Sequence, residues 1–70
     1  MKIIRRNNYT LQVEEEIEVK NIHTLEDLSQ RLEEIAKEWI EKGFDTCWIG
    51  TTHLVVFKDR EAYSFMQQMK

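Results

Sequence analysis

One stretch constrains the architecture more than any other. Between Thr24 and Gly43, the residues Leu25, Leu28, Leu32, Ile35, Ala36, Trp39 and Ile40 recur at spacings of three and four. That spacing lays a single apolar stripe along a helix, and the stripe must be buried against something. Thr24 stands where a helix needs a capping hydroxyl, and Asp27 three residues on completes a capping-box pattern. Glu26 and Asp27 also complement the helix dipole in the first turn. Lys42 and Gly43 end the helix, with Gly43 free to take the left-handed cap.

The segments on either side read as strands. Lys2–Arg6 is a short strand, and Asn7-Asn8 suits a tight turn because Asn tolerates positive φ. Tyr9, Leu11, Val13, Ile17 and Val19 then fall on one parity, and Thr10, Gln12, Glu14, Glu16 and Glu18 on the other. This period of two gives one dry and one wet face. Glu15 breaks the dry face, so a bulge or bend is expected near Glu14–Glu16. Downstream, Phe44–Ile49 and Thr52–Phe57 read as strands joined by a two-residue turn at Gly50-Thr51. Asp59 is positioned to cap a last helix, whose buried stripe would be Ala62, Phe65, Met66 and Met69. The expected fold is α+β, in the order ββαββα, with an antiparallel sheet and two helices packed on one face. The chain is expected to be a single domain over residues 1–70.

The closing run Leu54-Val-Val-Phe-Lys-Asp-Arg-Glu-Ala-Tyr-Ser-Phe65 resembles the strand-to-helix step of ferredoxin-like small domains. The β-β-α start departs from the ferredoxin-like order, so the resemblance carries no functional residue across.

A chain of 70 residues buries only about 60% of the surface its unfolded form exposes, and its core supplies roughly 3–5 kcal/mol. Small domains add staples to such a core. Cys47 is the only cysteine, which excludes an internal disulfide and leans toward a reducing, cytoplasmic setting. His23, Cys47 and His53 lack the close paired spacing of a zinc site, so no metal is expected. A partner is the remaining staple, either a second copy in a homodimer or another protein. No apolar run reaches the roughly 20 residues of a membrane helix, and no apolar segment behind Met1–Arg6 makes a secretory signal.

Two surfaces carry information. With Gly50-Thr51 as the turn, Trp48 faces His53 and Cys47 faces Leu54, and both faces of this hairpin are apolar. Either the hairpin is central and covered on both sides, or one face is a patch for a partner. In the second case Trp48, His53 and Val55 are the candidate binding residues, since Cys47, Ile49, Leu54 and Val56 make the cleaner core face. The acidic set is the other surface. Glu14, Glu16 and Glu18 line one strand face, and Glu33, Glu34, Glu38 and Glu41 lie off the helix's apolar stripe. These are either a solvated face with pairs such as Glu33–Lys37 and Glu38–Lys42, or a docking surface for a basic partner.

Lys2, Arg5 and Arg6 form the only basic cluster, and with Tyr9 they could touch phosphates. A net charge of −3 argues against a nucleic-acid binder. No catalytic residue is identified, because the only thiol and its candidate base, Cys47 and His53, fall on opposite faces in this register. No glycine-rich phosphate loop is present, and no cofactor is implied. The doubly apolar hairpin and the acidic helix point to a small non-catalytic interaction or regulatory protein that binds a larger protein partner, with inhibition one action open to it. Accessory proteins of phages and mobile elements have this size.

Overall fold

The computed structural model describes residues 1–68. Its elements are β1 (Lys2–Asn7), β2 (Val13–Glu18), α1 (Leu25–Glu41), β3 (Asp45–Trp48), β4 (His53–Lys58) and β5 (Glu61–Gln67). The strands make one sheet in the order β2-β1-β5-β4-β3, every neighbouring pair antiparallel. The helix carries the chain from the β2 edge to the β3 edge. Its stripe packs on one sheet face, where Leu28, Leu32, Ile35 and Ala36 meet Ile3, Leu54, Val56 and Phe65.

Both helix ends are built as local chemistry dictates. Thr24 Oγ1 accepts from the Asp27 backbone N–H at 3.1 Å, and Asp27 Oδ2 accepts from the Thr24 and His23 N–H groups at 3.2 and 3.0 Å. These bonds, that from His23 foremost, hold the Asp27 carboxyl below its ordinary pKa. At the other end Gly43 takes φ +93°. The Gly43 N–H donates to Ile40 O and the Phe44 N–H to Trp39 O, at 2.9 and 3.0 Å. This is a Schellman closure, and its usual apolar contact is made by the Phe44 and Trp39 rings, 4.8 Å apart edge to face.

The expectation of a second helix is wrong. Glu61–Gln67 is a strand, so the order is ββαβββ and the fold is mostly sheet with one helix. The segment carries two periods at once. Ala62, Phe65 and Met66 have helical spacing, but Tyr63 and Phe65 also alternate with Ala62, Ser64 and Met66. Long-range pairing decides between them. β5 lies between β1 and β4 and bonds to both, whereas a helix here would leave two more sheet edges with unpaired N–H and C=O groups. Asp59 does not cap a helix; it sits at φ +52° in a two-residue turn closed by Lys58 opposite Glu61. Asp tolerates that backbone better than most residues. The resemblance to a ferredoxin-like step lapses with the helix, and Met69 lies outside the described residues.

Two smaller expectations also change. Asn7-Asn8 is not a two-residue turn. The Asn7 side chain accepts from the Tyr9 and Thr10 N–H groups, and Asn7 N–H donates to Gln12 O, so residues 8–12 form a loop. Tyr9, Leu11 and Val13 are therefore exposed, and only Ile17 and Val19 of that parity pack inward. In the β1–β2 ladder Arg5 faces Glu15 and Arg6 faces Val13, which leaves Glu14 as the extra, bulged residue within the expected Glu14–Glu16 region.

Candidate functional site on the open sheet face

The β3–β4 register positions the site. Trp48 pairs with Leu54 and Cys47 with Val55, one residue away from the register expected for a two-residue turn. The Ile49 N–H donates to His53 O at 2.9 Å, so the loop holds three residues, Gly50, Thr51 and Thr52. A one-residue shift moves every side chain to the other face. Trp48 therefore shares the helix side with Leu54 and Val56, where it edges a shallow depression with Ser29, Glu33, Gly50 and Thr51. His53 and Val55 lie on the opposite face, together with Cys47. The three candidate residues are thus divided between two surfaces, and Cys47 and His53 lie on the same face after all.

No helix among the described residues covers that opposite face. Its side chains come in rows across the strands. Ile4, Met66 and His53 make one row, Arg6, Ser64, Val55 and Cys47 the next, and Ala62, Phe57 and Asp45 the third. Phe57 is 41% exposed. Phe57, with the half-buried Val55, Ala62 and Met66, gives this face an apolar character unlike the wet face usual for such a sheet.

A polar group is set into this face. Ser64 is only 1% exposed although it faces away from the helix, and its hydroxyl donates to Asn8 Oδ1 at 2.9 Å. Beside it, Arg6 Nε and His53 Nε2 are shut off from solvent and have no hydrogen-bond partner. Burial first, and the Arg6 charge second, hold the His53 pKa below its ordinary value. His53 is accordingly mostly neutral at neutral pH, and Arg6 is the cation of the middle row. Among the described residues neither Arg6 nor Asp45 has an ion-pair partner.

The basic N-terminal strand does not form one surface. Strand alternation puts Lys2 and Arg6 on the open face and Arg5 on the helix side. The Arg5 guanidinium lies 5.0 Å from the Tyr63 ring centre and 5.5 Å from that of Trp39, closing the end of the core. It also meets Glu15 at 3.4 Å and Glu14 at 3.8 Å. Lys2 donates to Glu16 at 3.1 Å, which raises its pKa. Tyr9 is in the exposed loop, apart from both arginines' contacts.

The acidic candidates divide similarly. Glu14 accepts from the Asn7 side chain at 3.0 Å, Glu16 holds Lys2, and Glu18 lies 3.8 Å from the terminal ammonium. These glutamates are engaged within the sheet. On α1, Glu34 binds Arg31 at 2.9 Å, while Glu38 and Glu41 stand in solvent. The pair Glu38–Lys42 is not made, because the Lys42 ammonium sits 4.3 Å over the Trp39 ring. Glu33–Lys37 is likewise absent from the ion pairs of the described residues.

Among the described residues no group of three His, Cys, Asp or Glu side chains is placed to hold a metal ion. No helix there is long and apolar enough to cross a membrane. Sequence alternation already puts Phe57 on one face with His53 and Val55, but sequence reasoning missed Arg6, Ser64 and Cys47 as members of that face. The available signal was the run Gly50-Thr51-Thr52, which permits a three-residue loop as readily as a two-residue one. Comparison with protein-family models, with curated proteins and with solved structures finds no match to this chain.

Proposed function

We propose that this chain is a non-catalytic protein-interaction module that works by laying its open sheet face against a protein partner. The observation that carries the reading is the apolar character of this uncovered face around Val55 and the 41%-exposed Phe57. Exposed aromatic and aliphatic groups in a contiguous patch mark interaction sites, and aromatic side chains supply most of the energy at such contacts. Arg6 adds specificity, since a cation within an apolar patch favours a partner carrying a carboxylate. Masking part of a larger protein, and so inhibiting it, is the simplest action open to a module of this size. A reducing, cytoplasmic setting suits the exposed free thiol of Cys47. The nucleic-acid alternative has less support, because Lys2 and Arg5 are engaged with glutamates and Arg5 faces the helix side.

The test is affinity capture from a lysate of the source cells with immobilised wild-type chain and with Phe57→Asp. Circular dichroism would verify that the variant is folded. Proteins held by the wild type and lost by the variant are the expected result. An identical captured set from both would refute the assignment of this face.

A further inference from the structure

We propose that the open face binds a second copy of this chain, stacked face to face about a two-fold axis that runs along the strands between β4 and β5. The inference rests on the reading of that face as an interaction surface and names its occupant. An axis in this place lays β5 of one copy over β4 of the other, and β1 over β3. The rows then match in size and in charge. Ala62 lies opposite Phe57 of the second copy, so a small side chain receives a large one, while Ser64, already covered within its own chain, lies opposite Val55. Met66 lies opposite His53, which burial keeps neutral and fit for an apolar contact.

Charge supplies the second argument. Arg6 on β1 and Asp45 on β3 are the two charged groups of these three rows, and neither has a partner within the chain among the described residues. The axis carries Arg6 over β3 of the second copy, one row from Asp45, and by symmetry the pairing occurs twice. Stacked sheets lie about 10 Å apart, a gap that an arginine leaning toward a facing carboxylate can span. Other axes do worse. An axis across the strands through the middle row sets Arg6 on Arg6, and an axis along β5 sets β2 with Glu16 against β3 with Asp45.

The footprint is limited. Four strands at about 4.8 Å and three side-chain rows at about 6.8 Å give a flat area of roughly 400 Å². Specific interfaces bury about 800 Å² of accessible surface per partner, so this one sits at the small end. The dimer is therefore a weak one that exchanges with monomer in the micromolar range.

Sedimentation equilibrium of the full chain, from low micromolar to near-millimolar concentration, tests this. The wild type is expected to rise from its 8.5 kDa monomer toward twice that mass. Phe57→Asp is expected to weaken the dimer by about tenfold or more, as loss of an aromatic anchor and burial of an unpaired charge do. Arg6→Glu and Asp45→Arg should each weaken it, and the double variant should recover it, because the exchanged charges again face each other across the axis. Circular dichroism melts on each variant separate lost association from lost folding. A wild type that stays monomeric throughout would overturn the second copy as occupant. Face-dependent capture of other proteins would then still uphold the interaction reading, and its absence would remove both. A dimer indifferent to Phe57→Asp would show that copies meet elsewhere, for example along the free β3 edge, and would equally overturn the proposal. So would a dimer in which the charge exchange fails to restore association.

Discussion

Gly43 gives a sharp test of how the helix is tied to the sheet, because conformation and crowding make opposite forecasts there. Its φ of +93° is a backbone that L side chains rarely adopt. Forcing alanine into a left-handed backbone costs about 1–2 kcal/mol. Loss of glycine's freedom in the unfolded chain offsets about 0.4–1 kcal/mol of this. A net loss of about 1 kcal/mol is expected for Gly43→Ala, against a total margin of roughly 3–5 kcal/mol. In a domain of this size that lowers Tm by about 4–8 °C. Crowding contributes little, since a Cβ at Gly43 would meet Lys58 Nζ at 3.3 Å, and that flexible tip can move away. Asn is larger than Ala but tolerates the left-handed region better. Gly43→Asn should therefore lose less than Gly43→Ala, and adding Lys58→Ala should not rescue the alanine variant. Thermal melts by circular dichroism read all three. A greater loss with Asn, or rescue by Lys58→Ala, would refute the conformational argument and make the contact with Lys58 responsible.

Phe65→Ala removes a ring that is 1% exposed at the centre of the core. Its cost of roughly 3–5 kcal/mol equals the whole margin, so the variant should be unfolded at room temperature; a cooperative melt close to wild type would contradict a central β5. Thr24→Ala breaks the capping box and should cost about 0.5–2 kcal/mol, read as a lower denaturant midpoint at unchanged slope. The depressed Asp27 pKa makes a stabilising contribution that is complete above the ordinary value of 3.8 and is lost as pH falls through the depressed one. Asp27→Asn should flatten the acid limb of a Tm-against-pH curve, and an unchanged limb would refute this. His53 also has a folded pKa below 6.5, so the unfolded chain takes up its proton first and stability declines as pH drops below 6.5. An NMR titration should show the His53 pKa rising in Arg6→Gln, and an unmoved value would place the Arg6 charge away from the ring.

Legibility in the sequence followed the range of the interactions. The helix bounds were readable nearly to the residue because their signals lie within one segment, the Thr24–Asp27 box, the apolar stripe and Gly43 at the cap, although the stripe packs inward only from Leu28 to Trp39 and leaves Leu25 and Ile40 exposed. The bulge beside Glu15 was readable for the same reason. Residues 59–67 were not, because Phe65 belongs both to a helical triple with Ala62 and Met66 and to a strand alternation with Tyr63. Only the ladders to β1 and β4, formed with distant parts of the chain, choose between the two. The candidate site was half legible. His53 and Val55 fall on one exposed face in either register, but Trp48 and Cys47 exchange faces when the loop grows from two residues to three. Loop length is set by the whole hairpin's fit to the core, with Leu54 and Val56 under the helix, and no residue in the turn reports it alone.

The misread C-terminal segment and the open face have one origin. A second helix over residues 59–69 would have been available to cover a face of a four-stranded sheet. Used as β5 instead, the segment widens the sheet to five strands and joins the first strand to the hairpin that follows the helix. The single amphipathic helix, 17 residues long, can cover one face and no more. The side chains directed to the other face still include Val55, Phe57, Ala62 and Met66, as apolar as strand formers in a central sheet tend to be. Strand propensity alone would be served as well by threonine there, at no cost in exposed hydrophobic surface. An exposed phenylalanine on the same face as Arg6, which has no ion-pair partner among the described residues, is therefore the feature that folding of one chain does not explain, and it is on this feature that the proposal of a partner rests.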